Sequence, residues 1–160
     1  MKLIYSKIIY SLVFTILCIS CTKTPDVEFT NTVKMSGEWY TRYYEKGAAI
    51  TTPHKILTYN TSDVSGTQIW VEDAAVWPFK AKLDVDYNAL AFKAMAGADN
   101  LDITGEKIKV FEGKVIPGGG VSKSGNVVDS IYLKVEFTDD PGTTYEIRGH
   151  QRTGFFEDEF

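Results

Sequence analysis

Thiols are almost missing from this chain. Its 160 residues include two cysteines, Cys18 and Cys21, and none follows residue 21. Disulfides, zinc–thiolate sites and cysteine nucleophiles are thereby excluded from everything downstream. Histidine is as scarce, with only His54 and His150, far apart in the chain and in no HxH or HExxH spacing. A metal centre would need further ligands at defined geometry, so neither a metal nor a cofactor is expected. There is no Gly-x-Ser-x-Gly elbow to present a serine nucleophile. Basic residues do not dominate either: 17 lysines and arginines face 21 aspartates and glutamates, a formal charge of −4. Nucleic acid, which selects a basic stripe, is a poor partner for such a surface. Leucine is sparse while aromatic and β-branched residues are frequent, a balance that favours strands over helices.

What is present begins with the first 21 residues. Lys2 and Lys7 precede an apolar run from Ile8 to Ile19, followed by Ser20 and Cys21. A basic start, an apolar stretch of about 12 residues and a small residue before the cut describe a secretory signal peptide. The run is too short for the roughly 20 residues of a spanning helix. Leu17-Cys18-Ile19-Ser20 before Cys21 resembles the lipobox of bacterial lipoproteins, departing from it in having Cys18 where leucine is commonest. Residues 1–20 are therefore expected to be removed and Cys21 to carry the lipid that holds the protein to a membrane. Losing two lysines would move the formal charge from −4 to −6. Residues 21–35, polar and containing Pro25, are expected as a flexible tether, and 36–160 as one domain. The expected location is the cell envelope, at the outer membrane, with the leaflet open.

Strand patterns recur through that domain at 37–45, 54–61, 67–73, 79–85, 90–94, 107–116, 131–137 and 143–152. The clearest are Phe79, Ala81, Leu83 and Val85 alternating with charged residues, and Ile131, Leu133, Val135 and Phe137 alternating with polar ones. Alanine is frequent over 89–98, where a turn or two of helix competes with a strand; the strand is preferred, because the preceding segment needs a partner. Gly113 reads as a bulge, and Gly118-Gly119-Gly120 as part of a mobile hairpin loop. Eight strands, no long helix and mostly hairpin connections predict an all-β, antiparallel up-and-down meander. Closing it into a small eight-stranded barrel removes the edges an open sheet would expose.

Gly37-Glu38-Trp39, opening the first strand, and an arginine in the last (Arg148 or Arg152) resemble the lipocalin and wider calycin pattern. That resemblance implies Trp39 packed at the closed end beneath a guanidinium, a contact contributing about 1–2 kcal/mol. A longer resemblance is carried by SGEWY, HKILTYNTS, IWVEDAAVWPFKAK and SGNVVDSIYLKVEFTDDPGTTYEIRGHQRTGF. These are similar to the lipid-binding putative hydrolase family of Bacteroidetes lipoproteins, which implies a lipocalin-like fold and a lipid-like ligand.

Tyr43, Tyr59, Trp70, Trp77 and Phe79 are the candidates to line a ligand site in the lumen. Eight strands enclose either their own side chains or one small ligand, and the sequence leaves that choice open. Three readings follow: a membrane-tethered barrel binding an apolar or amphipathic molecule without chemistry, an accessory lipoprotein with a filled barrel meeting a protein or glycan, and a weak hydrolase around His150. Asp84 and Asp86 fall on the outer face of their strand. Of the adjacent Phe155 and Phe156, at least one is expected to pack on the barrel.

Overall fold

The computed structural model describes residues 29–63 and 65–160. Its strands are β1 (Gly37–Glu45), β2 (Ala48–Ala49), β3 (His54–Asn60), β4 (Gln68–Asp73), β5 (Phe79–Asp86), β6 (Ala91–Asp99), β7 (Lys107–Val121), β8 (Val127–Phe137) and β9 (Tyr145–Gln151). All pairings are antiparallel, running β1-β3-β4-β5-β6-β7-β8-β9, and β9 returns to β1. The product is a closed eight-stranded barrel plus the two-residue β2, which pairs only with the end of β1. The described residues include no α-helix, and no helix among them is long and apolar enough to cross a membrane.

Period-2 alternation puts one side chain in two inside. On β5, Phe79, Ala81 and Leu83 are buried; on β8, Ile131, Leu133, Val135 and Phe137 are. At the entry end, where β1 starts and β9 ends, a short 3₁₀ turn (Val33–Met35) plugs the barrel. Met35 is fully buried there, and the Thr58 hydroxyl donates to its carbonyl at 2.6 Å. The expected tether to residue 35 therefore overruns: its last residues belong to the core. At the far end the barrel closes less regularly. β5 and β6 share only three pairs, Asp84 to Asp86 with Ala91 to Lys93. Beyond them Asn100 stands in for the missing ladder, its Oδ1 accepting from the Lys80 N–H at 3.1 Å and its Nδ2 donating to the Pro78 carbonyl at 3.0 Å. Backbone groups that would otherwise be orphaned are thus satisfied.

The alanine-rich 91–99 is strand throughout, as preferred over helix. Three other points of the sequence reading change. The glycine run lies within β7, and the turn of the hairpin is Ser122 to Asn126. Gly113 is not the bulge: it pairs in register with Leu133, and the register shifts at Phe111 and again between Ile116 and Gly120. Gly113 is needed because a Cβ there would stand 2.4 Å from the Phe92 ring, which crosses it in the core. The hairpin into β2 was not foreseen. Lys46 and Gly47 both take positive φ (48° and 85°), the signature of a two-residue primed turn.

Candidate functional site

The lumen is occupied by its own side chains. One continuous apolar cluster links Met35, Trp39, Tyr43, Ile56, Ile69, Phe79, Phe92, Ile108, Leu133 and Ile147, each almost wholly shielded from solvent. Of the five sequence candidates for a ligand site, Tyr43, Trp77 and Phe79 are brought together at the far end. Trp77, on the β4–β5 loop, stacks on Phe137 with centroids 4.5 Å apart and planes 7° apart, lies 4.9 Å from Tyr145, and donates its Nε1–H to Asp139 at 3.2 Å. Phe79 meets Phe137 from below at 5.8 Å. Tyr59 and Trp70 do not line the lumen. They are cross-strand partners on the outer face, where the Lys80 ammonium lies 5.4 Å and 5.5 Å from their centroids and Lys82 lies 4.9 Å from Trp70. The large rings can sit outside because lysine stems and cation–π contact shelter them.

A buried polar network underlies Trp77. Asp73, fully shielded, accepts from the Tyr43 hydroxyl at 2.8 Å and pairs with His54 Nε2 at 3.3 Å through one oxygen. Its other oxygen accepts the N–H groups of Ala75 and Val76, at 2.8 Å and 3.2 Å. His54 stacks on Tyr43 at 5.4 Å, and its Nδ1 faces the Thr52 carbonyl at 3.2 Å. Burial opposes charge on His54, but the Asp73 hydrogen bond, the Thr52 carbonyl and the Asp73 charge outweigh it and raise its pKa. Burial likewise opposes ionisation of Asp73, and the hydrogen bonds from His54, Ala75 and Tyr43 overcome it, so that pKa is lowered. Burial, with Asp73 alongside, pushes the Tyr43 phenol well up. Both ring nitrogens of His54 thus face acceptors. That arrangement favours the imidazolium paired with Asp73 and directs no lone pair of the ring at a substrate.

The closure of the barrel differs from its expected form. Trp39 is buried at 1% exposure, but among the described residues no cation lies over its ring; its Nε1–H donates to Thr58 Oγ1 at 2.8 Å. Arg148 points outward, ion-paired with Glu146 and 4.8 Å from the Tyr44 centroid. Arg152 fastens the end of the chain to β1 through carboxylates, with Nη1 2.8 Å from Glu38 and Nε 2.7 Å from Glu159. The reason is strand phase. Trp39 pairs with Gln151 and faces in, so the neighbours Arg148, His150 and Arg152 share the outer face.

That outer face carries a groove of about 310 Å³, lined by Tyr40, Arg42, Tyr44, Arg148, His150 and Phe160, with the bare backbone of Gly119 and Gly120 as part of its floor. Its size falls at the low end of small-ligand pockets. Its entry-side wall is built by the chain end folding back. Phe160 meets Tyr40 edge-on at 4.9 Å and His150 at 6.0 Å, and the Tyr40 hydroxyl is held by Glu159. Asp158 anchors this segment, accepting from the Ser124 N–H at 2.6 Å and from Thr153 Oγ1 at 2.7 Å. Burial resists ionisation there, yet those bonds hold the Asp158 carboxyl down at about 2. Burial also lowers His150, against a weaker opposing pull from Asp158, which leaves it neutral near pH 7. Ser130 is its cross-strand partner in the same groove.

Tyr40, Arg42, Ser130 and Phe160 escaped the sequence reading. The phase of β1 marks Tyr40, Arg42 and Tyr44 as outward, but their meeting with Phe160 depends on a fold-back that no periodicity announces. Among the described residues no group of three or more His, Cys, Asp or Glu side chains could hold a metal ion. Cys21 lies outside the described residues.

No curated protein matches the chain. A family model described as lipid-binding putative hydrolase matches residues 24–156. That span contains every strand of the barrel, and the chain belongs to this lipid-binding putative hydrolase family.

Proposed function

We propose that the protein is an envelope lipoprotein, anchored through Cys21 at the outer membrane, that holds a lipid-like amphiphile on the wall of its barrel rather than inside it. The observation that carries the proposal is a filled lumen beside an open groove. With Tyr43, Trp77 and Phe79 all packed around Phe137, an apolar ligand entering the barrel would have to displace the core. The outer groove needs no such displacement. Its aromatic faces, Tyr40 and Phe160, suit an apolar chain, and Arg42 and Arg148 suit an anionic headgroup. A second cleft of about 280 Å³ beside Val85, Phe92 and Phe111 is more apolar, but Asp84, Asp86 and Glu112 outnumber Lys93 around it, a balance that disfavours an anion.

The test is binding of a fluorescent fatty acid to the purified chain. Charge reversal at both arginines (Arg42→Glu with Arg148→Glu) is expected to weaken binding at least about tenfold, the loss of one charge-assisted contact. Unchanged affinity would overturn the assignment of the groove. The filled core also favours the accessory reading, in which the outer wall meets a protein or glycan; absence of any lipid in native mass spectrometry of the purified protein would support that reading. Hydrolysis is the third reading, resting on neutral His150 beside Ser130. Ester cleavage that disappears in His150→Ala would establish it, since a general base contributes about 10²–10⁴-fold.

A further inference from the structure

Four phenylalanines are exposed among the described residues, and all four lie at one end of the barrel: Phe29, Phe155, Phe156 and Phe160. Phe29 precedes the 3₁₀ turn that plugs the entry end, and the other three follow β9 out of that same end. Val121 and Val127, paired across the β7–β8 hairpin beside its turn, add exposed aliphatic surface there. The far end shows only scattered aliphatic residues: Ile50, Val76 and Leu101.

The exposure is imposed by the fold, not left by a loose tail. Phe156, at 91% exposure, opens a 3₁₀ turn (Phe156–Asp158) whose last residue is buried and tied to Ser124 and Thr153. The Phe155 N–H donates to Thr153 Oγ1 at 3.2 Å, and the Lys123 ammonium donates to the Glu159 carbonyl at 2.7 Å. A segment fixed at so many points, with its phenyl groups turned to solvent, presents them to something.

We propose that the entry end of the barrel docks on a lipid bilayer, with Phe155, Phe156 and the Val121–Val127 pair entering the interfacial layer. The length of chain outside the described residues selects this occupant. Seven residues separate Cys21 from Phe29, a reach of roughly 25–30 Å when extended. This rests on the reading that Cys21 carries the lipid anchor: the anchor then holds this end, not the far end, against the membrane. Docking so oriented places the Phe160 wall of the groove at the bilayer and the arginines farther along the barrel, the direction in which an amphiphile would leave the membrane headgroup-first, its chain trailing at the phenylalanine.

The test uses residues 22–160, which keep every strand and lack the acylation site, so failure of the anchor reading and failure of the docking surface are separable. Since no cysteine remains, a dye sensitive to polarity can be placed by Phe156→Cys or, at the far end, by Val76→Cys. With phosphatidylcholine vesicles a blue shift is expected at position 156 and none at 76. Phe155→Ser with Phe156→Ser should lower vesicle partitioning by at least about tenfold, the scale of one apolar side chain's burial, with the circular dichroism spectrum unchanged. No shift at 156, equal shifts at both positions, or partitioning that survives the double substitution would overturn the proposal. So would a concentration-dependent dimer abolished by the same substitutions in a chain that ignores vesicles, which would assign the surface to a second copy. Loss of acylation in Cys21→Ala bears only on the anchor.

Discussion

Replacing Asp73 by asparagine changes almost no volume and reverses the polarity of one atom, so its cost isolates the buried network. The carboxylate receives four donors, two from the backbone of the β4–β5 loop and two from Tyr43 and His54. In the variant the amide oxygen can keep the Ala75 and Val76 N–H groups. The amide nitrogen then stands where a carboxylate oxygen accepted two bonds. The Tyr43 hydroxyl can rotate to accept, but His54 can do so only by shedding its Nε2 proton, retaining Nδ1–H on the Thr52 carbonyl. A buried ion pair is thereby lost. Removing one partner of such a pair costs about 3–5 kcal/mol, and the rearrangement places asparagine near the lower figure. For a domain of this size that is a fall in Tm of roughly 10 °C.

The pH dependence follows from the two directions. The His54 pKa is raised by folding, so its contribution is complete below the unfolded value of roughly 6.5 and fades as pH climbs through the folded value. That of Asp73 is lowered, so its contribution is complete above roughly 4 and is lost as pH falls through the folded value. The difference between wild type and Asp73→Asn should therefore be largest from about pH 4 to 6.5 and shrink on either side. In the variant His54 must be neutral, and the stability of that protein should instead rise with pH through about 6.5. Urea denaturation at a series of pH values, with the His54 ring followed by NMR, measures both. A pH-independent difference, or one below about 1 kcal/mol, would show that the network is neither charged nor strongly coupled.

Cys21→Ala should abolish incorporation of labelled palmitate and release the protein from membranes; equal labelling of the variant would refute the anchor. Trp39→Ala should cost about 3–5 kcal/mol in chemical denaturation as a large core truncation, whereas Trp39→Phe leaves the Thr58 hydroxyl without its donor and should cost about 1–3 kcal/mol. Gly149→Ala should be among the most damaging single changes, because its Cβ would stand 2.0 Å from the Tyr40 carbonyl oxygen at the β1–β9 seam; a loss of stability under about 1 kcal/mol would mean the seam yields more easily than packed backbone does.

The barrel strands were legible where alternation survives, most plainly in β5 and β8, and least so in β6 and the end of β7, where it breaks at shifts of register. What misled was the assumption that large aromatics face inward. On β3 the buried positions are His54, Ile56 and Thr58, while Leu57 and Tyr59 face out. Small Thr58 is inside because Trp39 and Met35 need its hydroxyl, and Tyr59 is outside because Lys80 covers it. Neither reason exists until strands one and five are in place. The His54–Asp73 pair was hidden for the same cause: its members lie on neighbouring strands, and aspartate at a strand end reads as a turn residue. Trp39 was found through a motif, but its partner was mistaken, because cross-strand phase decides whether an arginine can reach it. At least one of Phe155 and Phe156 was expected to pack on the barrel, and both project instead.

That projection completes a division between the two ends. At the far end Trp77 closes over Phe137 and Tyr145, and beneath it Tyr43, His54 and Asp73 satisfy one another. Opening this end to admit a ligand would expose a carboxylate–imidazole pair and an aromatic cluster together, so the far end favours stability over access. The entry end is plugged by the 3₁₀ turn, with Met35 buried beside Trp39 and Thr58, and its surroundings turn apolar groups outward. Evolution of binding in such a barrel is easiest where nothing in the core must move: along the outer wall, from Phe160 to Arg148, beside the end nearest the proposed anchor. A lipid-binding family member with no vacant lumen is then no contradiction, because in the proposed arrangement the ligand and the membrane would meet the same side of a solid barrel.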